Sequence, residues 1–305
     1  MYQYLIIFIK GIAMGACDVV PGVSGGTVAF VTGIYEKLLN SLSCLTPKLI
    51  TEVIRRGFAS TWERIDGNFL LLLGLGAATG ILTLAKLIMT LMTKYPPVVW
   101  SLFFSLVLAS SFLLLKQVRH WDPLKVLLLC SGGALGYGVT VMSGFSGNHS
   151  ILSIFFSGFV AICAMILPGI SGSFILLIMG QYLFIINSLL SFDFFVILIF
   201  ALGCLCGLLV FSHILKWLFR KFYQGALCLL VGVMVGSLNK LWPWKQVVSY
   251  ATKSDGERVP LLEQNISPAY YEQTLGLDPM VLPCFLVIFL GITAVFMLDQ
   301  VEKGY

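Results

Sequence analysis

Pro21-Gly22-Val23-Ser24-Gly25-Gly26 returns, 147 residues further on, as Pro168-Gly169-Ile170-Ser171-Gly172-Ser173. Proline and adjacent glycines interrupt helices. Yet each block lies at the centre of a long apolar region, 4–42 and 149–190. Each region therefore reads as a hairpin of two helical arms joined by a non-helical tip, at Pro21/Gly22 and at Pro168/Gly169. The flanks of the two blocks also match. Phe8 meets Phe155, Gly11 meets Gly158, Gly33 meets Gly180 and Tyr35 meets Tyr182, and Asn40-Ser41-Leu42 meets Asn187-Ser188-Leu189. After a twenty-residue gap Gly76 meets Gly203, Gly80 meets Gly207, Lys86 meets His213 and Lys94 meets Lys221. One such motif is weak, but a duplicate with its flanks in register marks an internal repeat.

Composition puts this repeat in a membrane. The 305 residues are 58% hydrophobic and 11% charged, against about a quarter charged in soluble domains. No Asp, Glu, Lys or Arg occurs between Val126 and Phe192, a run of 67 residues. A water-soluble enzyme, a nucleic-acid binder and a disordered scaffold are excluded. The length suits one integral membrane domain. Six of the eight cysteines, Cys130, Cys163, Cys204, Cys206, Cys228 and Cys284, lie in apolar segments. There they act as small hydrophobes, so no disulfide framework, metal or cofactor is expected. Lys10 interrupts the first apolar run, and no cleavable signal peptide is expected.

A crossing helix needs about 20 apolar residues. Six spans are predicted, at 69–93, 98–115, 126–142, 194–215, 224–241 and 280–298. In the first hairpin Lys10 precedes Pro21 by eleven residues, and Glu36 and Lys37 follow Gly26 by ten and eleven. At about 1.5 Å per residue those charges stand roughly 15–17 Å from the tip, half a bilayer core of about 30 Å. The hairpin therefore re-enters, and symmetry extends this to the second. Lys48, Arg55, Arg56, Arg64, Lys116, Arg119, Lys125, Lys216, Arg220 and Lys221 then share one side. The positive-inside rule makes that side cytoplasmic, with both termini there and the 243–279 loop extracytoplasmic. Segment 46–66, with Pro47 in its first turn and Arg55, Arg56 and Arg64 among apolar residues, reads as one interfacial helix on anionic lipid.

The expected fold is thus an all-α integral membrane protein of two halves, 1–142 and 149–299, each a re-entrant hairpin plus three spans. Three is odd, so the second half is inverted. Inverted halves with broken helices at the midplane are the mark of secondary transporters. The site is expected where the tips meet. Helices begin there near Thr27 and Phe174, and a helix start offers unpaired N–H groups and partial positive charge to an anion such as phosphate. Ser24, Gly25, Gly26, Thr27, Ser171, Gly172 and Ser173 are the candidate donors. Gly33, Gly76, Gly180 and Gly203 read as close helix packing.

Charge within the hairpins is confined to the first. Asp18 is matched by Met165 and Lys10 by Ser157. An intramembrane carboxylate is costly and points to function. Asp18 is a candidate proton or cation coupling site, or a partner for Lys10 or Lys86. Lys10 and Lys86 are candidate phosphate contacts, although Lys86 could equally snorkel. His213 reads as an interfacial residue or a proton-responsive contact, and His120 and His149 as loop residues. No HExxH, GxSxG with partners or acidic metal cluster supports an enzyme.

The segments KGIAMGACDVVPGVSGGTVAFVTGIYEKL at 10–38 and ILPGISGSFILLIMGQY at 166–182 resemble the bacterial polyprenyl-phosphate (undecaprenyl-phosphate) transporter family, over essentially the whole chain. The resemblance implies translocation of undecaprenyl phosphate, the lipid carrier of cell-wall precursors, back to the cytoplasmic leaflet of the bacterial inner membrane. The tips, Asp18 and the basic residues are the positions to which the resemblance carries over; a proton or sodium ion is the coupling partner expected from the Asp18 carboxylate. The other classes in view are a membrane enzyme acting on a lipid phosphate and a transporter of a small soluble anion.

Overall fold

The computed structural model describes residues 2–18, 24–46, 49–142, 149–252 and 258–303. The first-tip residues Pro21 and Gly22 and the proposed first-turn Pro47 lie outside them. The chain runs through α1 (Tyr2–Asp18), α2 (Gly25–Val31), α3 (Tyr35–Ser43), α4 (Leu49–Arg56), α5 (Phe58–Arg64), α6 (Gly67–Lys94), α7 (Pro96–Leu115) and α8 (Pro123–Val141). It continues through α9 (Ile151–Ile166), α10 (Gly172–Ile178), α11 (Tyr182–Leu190), α12 (Phe194–Ser237) and a 3-10 turn (Leu238–Leu241). Last come β1 (Lys245–Thr252), β2 (Arg258–Asn265), α13 (Pro268–Leu275) and α14 (Val281–Lys303).

Among the described residues four helical stretches are long and apolar enough to cross a membrane: Gly67–Leu84, Pro96–Leu115, Pro123–Val141 and Phe194–Leu241. The last has 48 residues, or about 72 Å at 1.5 Å each, too long for one crossing of about 30 Å. It bends at Phe222, whose φ −136°, ψ 49° is non-helical. The break expected between residues 215 and 224 is thus present, as a kink at Phe222 where two helices meet. Leu82, Phe194 and Leu282 are 82%, 75% and 71% exposed, as a lipid-facing surface requires.

Matched sequence positions adopt matched local structure. Ser24 and Ser171 precede α2 and α10, each of seven residues, and nine-residue helices follow both. The helices begin at Gly25 and Gly172, two residues before the expected Thr27 and Phe174. Gly33 and Gly180 have φ of +68° and +66°, a conformation that glycine adopts without steric cost. They stop each return limb, and α10 and α11 diverge by 113°. They are helix stops rather than the packing glycines expected. Gly76 and Gly203 do pack closely: a Cβ would fall 2.2 Å from Phe8 O and 2.0 Å from Phe155 O respectively. These contacts set α1 along α6 and α9 along α12.

Two further expectations are corrected. The 46–66 segment forms two helices, because Gly57 takes φ +83° between α4 and α5; Arg64 bonds Glu52 back across that break. The 243–279 loop carries an antiparallel β-hairpin, β1 with β2, followed by α13. The all-α expectation therefore holds for the membrane part and not for this loop. A buried cluster including Phe30, Tyr35, Val107, Phe219, Leu227 and Met234 ties the first hairpin to α7 and α12.

Candidate functional site

The two tips interlock. Ser24 caps α2, its Oγ accepting the Gly26 N–H at 3.1 Å. The same Oγ lies 3.1 Å from Met165 O and 3.3 Å from Leu167 O, to which its O–H donates across to the second hairpin. In return the Gly169 N–H donates to Thr27 Oγ1 at 2.9 Å. A Cβ on Gly26 would sit 2.9 Å from Ile166 O, so only a glycine permits this approach. Ser24, Thr27 and Ser171 are all buried. Of the second-tip donors, Ser171 Oγ and Ser173 Oγ lie 2.8 Å apart. Gly172 packs on the Ala161 carbonyl.

Asp18 ends α1, and its Oδ1 accepts the Gly25 N–H at 2.7 Å. The chain thus places its own carboxylate at the start of α2, where the dipole and exposed N–H groups favour negative charge. The unpaired N–H groups expected for Gly25 and Gly26 are taken up by Asp18 and Ser24, and that of Gly169 by Thr27. Each acceptor is a side-chain oxygen of the chain itself.

The two candidate lysines lie elsewhere. Lys10 Nζ donates to the carbonyl of Thr32 just past the C-terminal end of α2, about 10 Å along that helix from its start. Lys86 is exposed on α6, beside Ile81, Leu82, Met89, Thr90 and Thr93, none of them a tip residue. His213 is exposed and bonds within its own helix to Leu209 O. His149, expected in a loop, stacks on Phe184 at 4.2 Å and bonds Gln181. Buried Gln181 also donates to Ser153 Oγ at 2.9 Å. Gln181 directly follows Gly180, just as Lys10 reaches Thr32 beside Gly33, so each hairpin carries a polar clasp at its return-limb break. Gln181 was missed, and its signal was available: it is the one amide next to a paired glycine stop in an otherwise apolar stretch.

Fold and site together define a multi-pass helical membrane protein in which two broken-helix tips grip each other through side-chain-to-backbone hydrogen bonds. The chain belongs to the undecaprenyl phosphate translocase-like family, whose model matches residues 14–259. It is 45% identical over 301 residues to a polyprenyl-phosphate transporter of Vibrio cholerae, covering 99% of this chain and 97% of that protein. It is 28% identical over 257 residues to one of Staphylococcus aureus, covering 78% and 86%. No solved structure matches it.

Proposed function

We propose that this protein carries undecaprenyl phosphate, or a related polyprenyl phosphate, across the bacterial cytoplasmic membrane and returns it for reuse. The family and the names of both relatives support this reading. The structural observation that carries it is the exchange of hydrogen bonds between the tips. The N–H groups of Gly25, Gly26 and Gly169 lie at the contact between the hairpins, and each is held by a side-chain oxygen.

In this reading the structure is a conformation in which the two tips are closed on each other. A phosphate entering between the tips takes the N–H groups that Asp18, Ser24 and Thr27 now hold, and Ser171 and Ser173 add hydroxyl donors from the second tip. The head group becomes satisfied while the polyprenyl tail stays in lipid, where its CH₂ groups already belong. Asp18, displaced from Gly25, is then free to take up a proton or a sodium ion, which ties the charge of the cargo to that of the ion. Like charges cannot share the start of α2, so ion uptake and phosphate binding reinforce each other.

The two halves, 1–142 and 149–299, act as inverted repeats, with both termini cytoplasmic and the 243–279 loop outside. Parting one hairpin from the other opens the site to one leaflet at a time.

The test is transport in proteoliposomes, read as the fraction of undecaprenyl phosphate in the outer leaflet that an added phosphatase can still reach. Wild type lowers that fraction with time. Ser24→Ala/Ser171→Ala and Asp18→Asn slow it at least tenfold. Variants that run as fast as wild type defeat the tip site. A wild type that moves soluble phosphate and no lipid defeats the substrate assignment.

A further inference from the structure

A second charged site lies directly over the second tip. Ser237 packs on Gly169: a Cβ there would sit 2.9 Å from Ser237 Oγ. Three residues on, Lys240 opens a pocket of about 350 Å³, within the roughly 300–1,000 Å³ of ordinary ligand sites. Its walls are the end of α8 (Thr140, Val141, Met142), Phe174 of α10, Asn239, and the β-hairpin residues Lys245 and Glu263. Asn239 Nδ2 donates to Thr140 Oγ1 at 2.8 Å, and Asn265 of β2 donates to Asn239, so the walls are tied together.

Two ammonium groups and one carboxylate meet inside. Lys240 Nζ is 2.9 Å and Lys245 Nζ 3.6 Å from the same Glu263 Oε2. Lys240 also stands 4.5 Å over the Phe174 ring, and Lys245 stands 3.3 Å over the Trp100 ring while donating to Lys240 O. Their side chains are 15% and 6% exposed, and that of Glu263 is 17%. Withdrawing a charge from water is costly unless an opposite charge compensates it. One carboxylate cannot neutralise two charged lysines, so the pocket carries a surplus positive charge whenever Lys245 is protonated. Burial holds Lys245 down to about 7, with Glu263 pulling the other way. A structural ion pair needs one lysine, whereas an anion site uses both. At the mouth Val141, Met142 and Val248 are about half exposed, an apolar rim where a lipid tail can lie.

We propose that this pocket is the reception site for the phosphate head group on the β-hairpin side of the membrane. Lys240 and Lys245 bind the phosphate, and Glu263 is the built-in acceptor that it displaces. The ring of Phe174 carries Lys240 and belongs to α10, the helix that starts at the second tip. The pocket is thus joined to the second tip twice, through Phe174 of α10 and through Ser237, which packs on Gly169. The ligand chemistry is a phosphate group, whether on a polyprenyl lipid or free in solution. The lipid assignment rests on the function proposed above.

The experiment reconstitutes the full chain and measures initial transport against undecaprenyl phosphate content, with separate vesicles offered inorganic phosphate alone. Lys240→Gln and Lys245→Gln each raise the half-saturating lipid content about tenfold, Lys240→Arg restores it, and Glu263→Gln lowers it several-fold because the competing acceptor is gone. Thermal melting of each variant is recorded beside these values. If all three charge-removing variants lose melting temperature and maximal rate together with half-saturation unmoved, the cluster is a structural clasp and the proposal is overturned. If the lysine variants match wild type while Ser24→Ala/Ser171→Ala fails to transport, the reception site falls and the tip site stands. If wild type takes up inorganic phosphate in a Lys240-dependent way but moves no lipid, the lipid reading falls and the phosphate site stands.

Discussion

Thr27→Val removes a single oxygen from the junction of the two hairpins. Valine matches threonine in shape, so α2 and its packing are kept, while the Gly169 N–H loses the acceptor it now holds at 2.9 Å. Thr27 is 4% exposed, and water does not readily replace the lost oxygen. A buried donor left unsatisfied costs about 1–3 kcal/mol, which is roughly 5- to 150-fold in the folded fraction at about 1.4 kcal/mol per decade. For a chain of this size that corresponds to a melting midpoint lowered by roughly 2–8 °C. The assay is thermal unfolding of purified protein in one detergent, wild type beside Thr27→Val and Thr27→Ser. The serine variant keeps the hydroxyl and melts close to wild type. If valine melts with wild type, or serine falls as far as valine, the Thr27–Gly169 bond does not hold the tips together and the closed-state reading loses its main support.

Two other outcomes are expected. Gly203→Leu or Gly76→Leu drives a side chain into the Phe155 or Phe8 carbonyl and yields aggregated protein by size-exclusion chromatography. Gly74→Leu, whose Cβ meets nothing within 4 Å, yields protein that runs as wild type does. Lys245 is cationic below about 7 and neutral above it. The charged groups facing it are Lys240 and Glu263, and the Glu263 carboxyl is held below its usual range by both lysines against its own desolvation. Half-saturating lipid content therefore rises as pH climbs through about 7, and Lys245→Arg, which keeps its charge, flattens that rise in the transport assay.

Much of the fold was legible because membranes simplify sequence. With no water to satisfy a bare backbone, spans must be long apolar helices, and the interruptions stand out: Pro168-Gly169 in an uncharged run has few readings besides a buried break. The paired glycines were visible as pairs, but their two jobs were not separable. Gly76 serves close approach and Gly33 serves a left-handed stop, and both leave the same letter at the same kind of interval. The β-hairpin was hidden because β1 and β2 are joined across a polar loop and pair out of strict register, so no clean alternation marks them. Its partner cluster was hidden for a related reason. Lys240, Lys245 and Glu263 are ordinary loop charges until the strands bring residue 263 back over residue 240.

What the amino-acid sequence by itself determined is the environment and the plan: a membrane chain with two matching polar breaks in apolar helices. Hydrophobicity and periodicity are local quantities and can be read in order along the chain. Tertiary structure alone decided the pairing of donors with acceptors. Ser24 reaches carbonyls 141 and 143 residues away, and Thr27 receives an N–H 142 residues away. It also bonded Lys10 to the Thr32 carbonyl, left Lys86 among apolar residues of α6, and put Asp18 on Gly25. Hydrogen bonds are satisfied only by atoms within about 3 Å, and which atoms those are depends on how the helices pack, which no single stretch of sequence contains.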